Sequence, residues 1–148
     1  MKIDASSGAV VFSNGTIEPV MDKDAFLSSP LGSGSEKWHG HGVFEVFRFV
    51  PEPGIIATAD FRSSRLSSVS LLFTLTDDSP EHVSRDQEFK RKEKHDTWLR
   101  AELGEPPYRY SWGQIVSAFY EQHCESDIMV IYDKQATLSA TCQPVRGE

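Results

Sequence analysis

Three strand-length runs, separated by turns too short for a crossover, occupy residues 43–75 and restrict the chain to few folds. Residues 43–50 (VFEVFRFV) carry Val43, Phe47 and Phe49 on one face and Phe44, Val46 and Val50 on the other. Apolar side chains on both faces predict a central strand. The PEPG turn at 51–54 leads into residues 55–61, where Ile55, Ala57, Ala59 and Phe61 alternate with Thr58 and Asp60. After a polar turn at 62–65, residues 66–75 place Val69, Leu71, Phe73 and Leu75 opposite Ser68, Ser70 and Thr74. Parallel neighbours need a crossover of a dozen or more residues, so these three strands must form an antiparallel meander.

The flanking segments add helices and further strands. Residues 9–12 read as a strand, Asn14-Gly15 as the turn and 16–18 as the returning strand. Residues 22–29 predict a short helix capped by Asp22 and stopped by Pro30 and Gly32, and 32–42 an exposed Gly/Ser-rich loop bearing Trp38. Ser84-Arg85-Asp86-Gln87 matches a capping box, and Gly104 with Pro106-Pro107 ends the helix that follows. Along that helix Phe89, Leu99 and Leu103 share a stripe, while Trp98 points the other way. Its charged middle is expected to be a salt-bridged, solvated face. Strands are expected at 108–112, 115–120 and 127–132, with a weak edge strand at 137–142.

The fold expected is therefore a single α+β domain over 1–148. An antiparallel sheet of about seven to eight strands carries one long and one short helix on one face. An offset of 72 residues aligns Phe26-Leu27…Leu31-Gly32 with Trp98-Leu99…Leu103-Gly104, and also aligns the strands and turns that follow. Two readings stand: a duplicated helix–strand–strand–strand unit at about 20–76 and 80–148, or coincidence of pattern in an α+β chain.

Charge narrows the function. The net charge is −7, which argues against nucleic-acid or anionic-membrane partners and, if it points to a partner, points to a basic one. Acids and bases balance over 79–103, so the excess negative charge lies on strands and loops. No export signal or spanning apolar run is read, so a cytoplasmic protein is expected, and Cys124 and Cys142 make no disulfide framework.

Catalytic patterns are thin. His39 and His41 would point the same way on an extended strand and could share a metal, but the further ligands such a site needs stand at no characteristic spacing. His123 beside Cys124 is adjacency without geometry, because strand neighbours face opposite ways. Glu121, Glu125, Asp127 and Asp133 read as an acidic rim. No phosphate-binding glycine motif with its lysine is present, and no cofactor is expected.

The remaining candidates are aromatic: Trp38, Tyr108, Tyr110, Trp112, Tyr120 and Tyr132. Tyr and Trp on an open sheet face are residues that protein interfaces favour. The tandem helix-plus-meander order resembles the β-lactamase-inhibitor-protein family and the related small outer-membrane assembly lipoproteins. The run Leu103-Gly104…Pro106-Pro107-Tyr108…Tyr110…Trp112-Gly113 is similar to small uncharacterised bacterial proteins and immunity-type proteins. The resemblance to the secreted inhibitor is one of layout, since its leader and four-cysteine framework have no counterpart, and no site residue transfers. It implies a non-enzymatic protein-binding module, an immunity-type inhibitor or adaptor. The alternatives are a small metal-dependent enzyme using His39 and His41, or a subunit of a larger assembly.

Overall fold

A computed structural model describes residues 1–78 and 83–132. The chain opens with a small sheet of β1 (Lys2–Ile3), β2 (Val10–Phe12) and β3 (Gly15–Ile17), paired in that order. Phe12 pairs with Gly15, so the turn is Ser13-Asn14, one residue earlier than the Asn14-Gly15 expected. Two short helices follow, α1 (Lys23–Ser28) and α2 (Pro30–Ser33). Asp22 caps α1 by accepting from the Asp24 N–H. Pro30 ends α1 but also starts α2, because its fixed φ and missing N–H suit the first helical position, and Ser29 caps that helix.

The main sheet has seven strands: β4 (Glu36–His41), β5 (Phe44–Glu52), β6 (Ile55–Arg62), β7 (Arg65–Phe73), β8 (Tyr108–Tyr110), β9 (Gly113–Tyr120) and β10 (Glu125–Tyr132). Their spatial order is β4-β5-β6-β7-β10-β9-β8, and every pair is antiparallel. The α+β class, the meander at 43–75 and the one-sided helices follow the sequence reading. Residues 36–41 correct it, since the expected loop is an edge strand whose side chains are all exposed, with no apolar alternation to mark it. The N-terminal hairpin belongs to its own small sheet rather than to the main one.

The two meanders join at β7 and β10, where Ile128–Ile131 pair with 71–68. β10 is thus flanked by β9 and β7, just as β6 is flanked by β5 and β7. β7 serves both halves, so the place a matching third strand of the second half would take beside β10 is already filled. Residues 137–142, expected as a weak edge strand, lie outside the described residues.

Pairing register fixes the faces. Phe49–Ala57–Leu71–Ile128–Ser117 and Phe47–Ala59–Val69–Val130–Ile115 form two rows on one face. That face is the core side. Phe26 of α1 packs its ring 5.4 Å from Phe49 and 5.4 Å from Phe61, and Phe12 of the small sheet meets Phe49 edge-on. Burying side chains of this size contributes about 2–3 kcal/mol each.

The long helix α3 (Arg85–Leu103) covers β7, β9 and β10 on the same face. Ser84 caps it through the Gln87 N–H, and Gly104 ends it with a positive φ. Its contact stripe differs from the one expected. The buried residues are Glu88, Arg91, His95 and Leu99, at helical spacing but mostly polar. Phe89 is 46% exposed against Phe119, while Trp98 packs edge-on to Phe73.

The charged middle is therefore solvated on one side only, with Lys90, Glu93 and Lys94 exposed and Glu88 and Arg91 buried. Glu88 Oε1 accepts from the Ser126 N–H at 2.9 Å, and both its carboxylate oxygens accept from Arg91 Nε. Arg91 in turn donates to the Phe73 carbonyl and to both carboxylate oxygens of Asp78. Each buried charge is paired and hydrogen-bonded, which offsets its desolvation.

Candidate functional site

No element among the described residues lies on the second face of the main sheet, which is exposed at its β4–β5 part, while Ser68, Ala118 and Ile131 on its β7–β10–β9 part are buried. Register places Phe44, Val46, Arg48, Ile56, Thr58, Asp60, Arg62, Leu72, Met129, Val116 and Tyr120 on it. Apolar exposure is greatest at the β4–β5 end, where Trp38 is 50% exposed, Phe44 44%, Val43 54% and Val50 64%. Arg48 sits 5.0 Å over the Trp38 ring and Arg62 4.6 Å over the Phe44 ring. These guanidinium–ring contacts hold flat, amphipathic surfaces outward at low entropic cost. The face is of mixed charge, with Arg48, Arg62 and Arg109 against Glu36, Asp60, Glu125 and Asp127, so the acidic sheet surface inferred from net charge is not what this face presents.

Of the six aromatic candidates, Trp38 alone is fully at the surface. Tyr132 is buried under Trp112, and burial pushes its phenol well above the usual tyrosine range. Tyr108 is buried and donates its hydroxyl to the Gly104 carbonyl, closing the helix stop. Tyr110 stacks on Trp112 at 5.0 Å, and the Trp112 indole N–H donates to the Ala5 carbonyl, clamping the N-terminal segment. Tyr120 is half-buried on the open face. Trp38 and the β8 tyrosines stand on opposite edge strands, so the six do not form one patch. The sequence reading passed over Arg48 and Arg62, although their even-numbered positions beside Phe44 and Val46 were the available signal.

At the other end of the open face lies Asp127. Burial, and next the neighbouring Glu125 charge, push its carboxyl up to about 7. The Tyr120 and Ser70 hydroxyls favour the charged form, but Oδ1 has no hydrogen-bond partner among the described residues. Glu121 and Glu125 remain exposed rim acids, and Asp133 lies outside the described residues.

His39 pairs with Val46 and His41 with Phe44, so both imidazoles do share the open face. Among the described residues no group of three or more His, Cys, Asp and Glu is gathered to hold a metal ion. Cys124 is a half-buried free thiol in the β9–β10 turn, while Cys142 lies outside the described residues. Among the described residues no helix is long and apolar enough to cross a membrane.

A cavity of about 320 Å³ lies between α3 and the β8–β9 edge. Lys92, Asp96 and Arg100 line its helix side. Lys92 holds Asp96 at 2.8 Å, and Arg100 reaches Glu105 at 3.3 Å. Burial raises the Asp96 pKa, but the Lys92 ammonium and Ser117 hydroxyl outweigh it and keep that carboxyl below its ordinary range. Comparison of the chain with protein-family models, with curated proteins and with solved structures found no match.

Proposed function

We propose that the chain is a non-enzymatic protein-binding module, of the inhibitor or adaptor kind that immunity-type proteins represent. The observation that carries this reading is the open sheet face, whose β4–β5 end exposes Trp38, Val43, Phe44 and Val50 under two stacked arginines. A seven-stranded sheet whose β4–β5 part is exposed is a rigid platform. Its exposed aromatic, aliphatic and arginine side chains match the composition of interface centres. Binding there would bury apolar area without reorganising the strands, so little of the gain would be lost to ordering.

The test is site-specific crosslinking inside the source cell. A photoreactive side chain at Val50 should trap one protein species, and the same group at Lys90, exposed on α3, should not. Phe44→Asp should abolish the Val50 adduct while leaving the fold intact, since that ring is 44% exposed. Equal trapping from both positions, or none from Val50, would overturn the reading.

A further inference from the structure

The edge strand β4 keeps its place without burying a side chain of its own, since all six of its residues are exposed. Two of them, His39 and His41, are separated by a single glycine. Strand residues i and i+2 point to the same face. The pairing is regular from His39 with Val46 to His41 with Phe44, so both imidazoles stand on the exposed β4–β5 part of the second face. Neither imidazole makes a hydrogen bond or ion pair among the described residues. Residues so spaced on an extended strand lie about 6.6 Å apart, and two imidazoles can close that span on one ion held at about 2.0–2.1 Å.

The surroundings hold this pair in position. Arg48 sits 5.0 Å over the Trp38 ring, and Trp38 meets the His39 ring edge-on at 5.8 Å. His41 is the last residue before the two-residue turn Gly42-Val43, so the hairpin fixes its backbone. On the reverse side Gly40 makes room for Lys37, where a Cβ would meet Lys37 Cε at 2.7 Å. Lys37 runs under the glycine to Glu45 at 3.1 Å, which turns the lysine of β4 away from the imidazoles and neutralises it. On the imidazole face Arg48 lies 3.6 Å from Glu36, and Arg62 rests over the Phe44 ring.

Imidazole pairs favour borderline divalent ions such as Zn²⁺ and Cu²⁺ over the oxygen-seeking Mg²⁺. Two protein ligands are fewer than the four of a closed site, so an ion held here keeps open coordination positions. Those positions face outward beside Trp38 and Phe44, into the surface assigned above to a partner. We infer that His39 and His41 together hold one ion of the Zn²⁺ or Cu²⁺ class at the β4–β5 rim, and that an imidazole or carboxylate of the partner completes its coordination. The histidine pair stands on its own geometry, whereas the partner's share rests on the protein-binding reading.

The test begins with the free full chain and Cu²⁺ as the probe. One equivalent should give an electron paramagnetic resonance spectrum with two imidazole nitrogens on the ion. His39→Asn and His41→Asn should each weaken binding at least about tenfold, because a chelate is reduced to a single ligand. His123→Asn, exposed in the β9–β10 turn, should leave it unchanged. Full affinity in either rim variant, or Mg²⁺ competing as well as Zn²⁺, would overturn the site. In permeabilised source cells, zinc chelation should cut the Val50 adduct several-fold. His41→Asn should cut it equally, and chelation should then have no further effect. An adduct indifferent to chelation, or one just as sensitive to it in His41→Asn, would overturn the partner's share. If Val50 traps nothing, that share falls together with the protein-binding reading, while the copper affinities of the free chain still decide the histidine pair.

Discussion

At the residue scale, Gly113 is the position where the fold tolerates least. Its φ is +154°, and a Cβ there would meet the Ile131 carbonyl oxygen at 1.9 Å, a backbone atom that cannot step aside. The close approach lets the β8–β9 turn sit tight against β10, with Trp112 packed on Tyr132 and bonded to the N-terminal segment. Gly113→Ala should therefore cost about 3 kcal/mol or more, measured by urea unfolding. An equal midpoint for the two proteins would show that the turn has slack. Gly42→Ala has open space around it, and although its φ is also positive, the cost there should stay near 1 kcal/mol. The glycine was visible in the sequence as a place for a bend, but its close contact with the adjacent strand β10 was not. Trp112 was legible as an important aromatic for the wrong reason. Its alternation with Tyr110 suggested a binding face, whereas its indole is spent on holding residues 5 and 8.

At the scale of elements, α3 shows where pattern reading stops. Its boundaries were legible because capping and helix-stop chemistry are local, and Ser84 and Gly104 act through residues within four positions. Its buried face was not, because burial was sought as an apolar stripe and the stripe is Glu88, Arg91, His95 and Leu99. Only the fold brings Asp78, Ser126 and the Phe73 carbonyl to those side chains. Removing one member strands the others: Arg91→Met leaves Glu88 and Asp78 facing each other without their shared cation. That variant should lose about 3–5 kcal/mol in chemical unfolding, while Glu93→Ala on the exposed side of the same helix should change stability by less than about 0.5 kcal/mol. Similar small effects from both would mean that the network is solvated after all. β4 makes the converse point. It was unreadable as a strand because no face of it is buried, and its pairing to β5 is imposed by the neighbour rather than by its own residues.

At the scale of the whole molecule, His95 under the covered face and Asp127 on the opposite face are ionisable groups that act on stability with opposite sign. His95 is buried under α3, where its Nε2 accepts the Phe73 N–H at 3.0 Å and Nδ1 has no partner among the described residues. Burial, and next the Arg91 charge, lower its pKa from 6.5 to about 4. The unfolded chain thus binds this proton more readily, and stability falls as the pH drops from 6.5 to about 4. Asp127, on the open face, has a folded pKa raised from 3.8 to about 7, so the folded chain holds its proton more tightly. Its contribution is intact below 3.8 and is lost as the pH rises to about 7. Between pH 4 and 6.5 the two slopes oppose each other, and single variants should unmask them. Asp127→Asn should equal the parent near pH 4 and exceed it by about 2 kcal/mol at pH 8, a figure reduced for partial solvent access. His95→Gln, whose amide oxygen can still accept from Phe73, should lose its deficit against the parent progressively as the pH falls from 6.5 to 4. Urea midpoints for the three proteins at pH 4, 5, 6, 7 and 8 separate the effects, since each difference curve isolates one group. A flat difference for Asp127→Asn would place that carboxyl in free contact with water. The centre of the open face would then be wetter than its geometry implies, and a partner seated there would have less to gain by covering it.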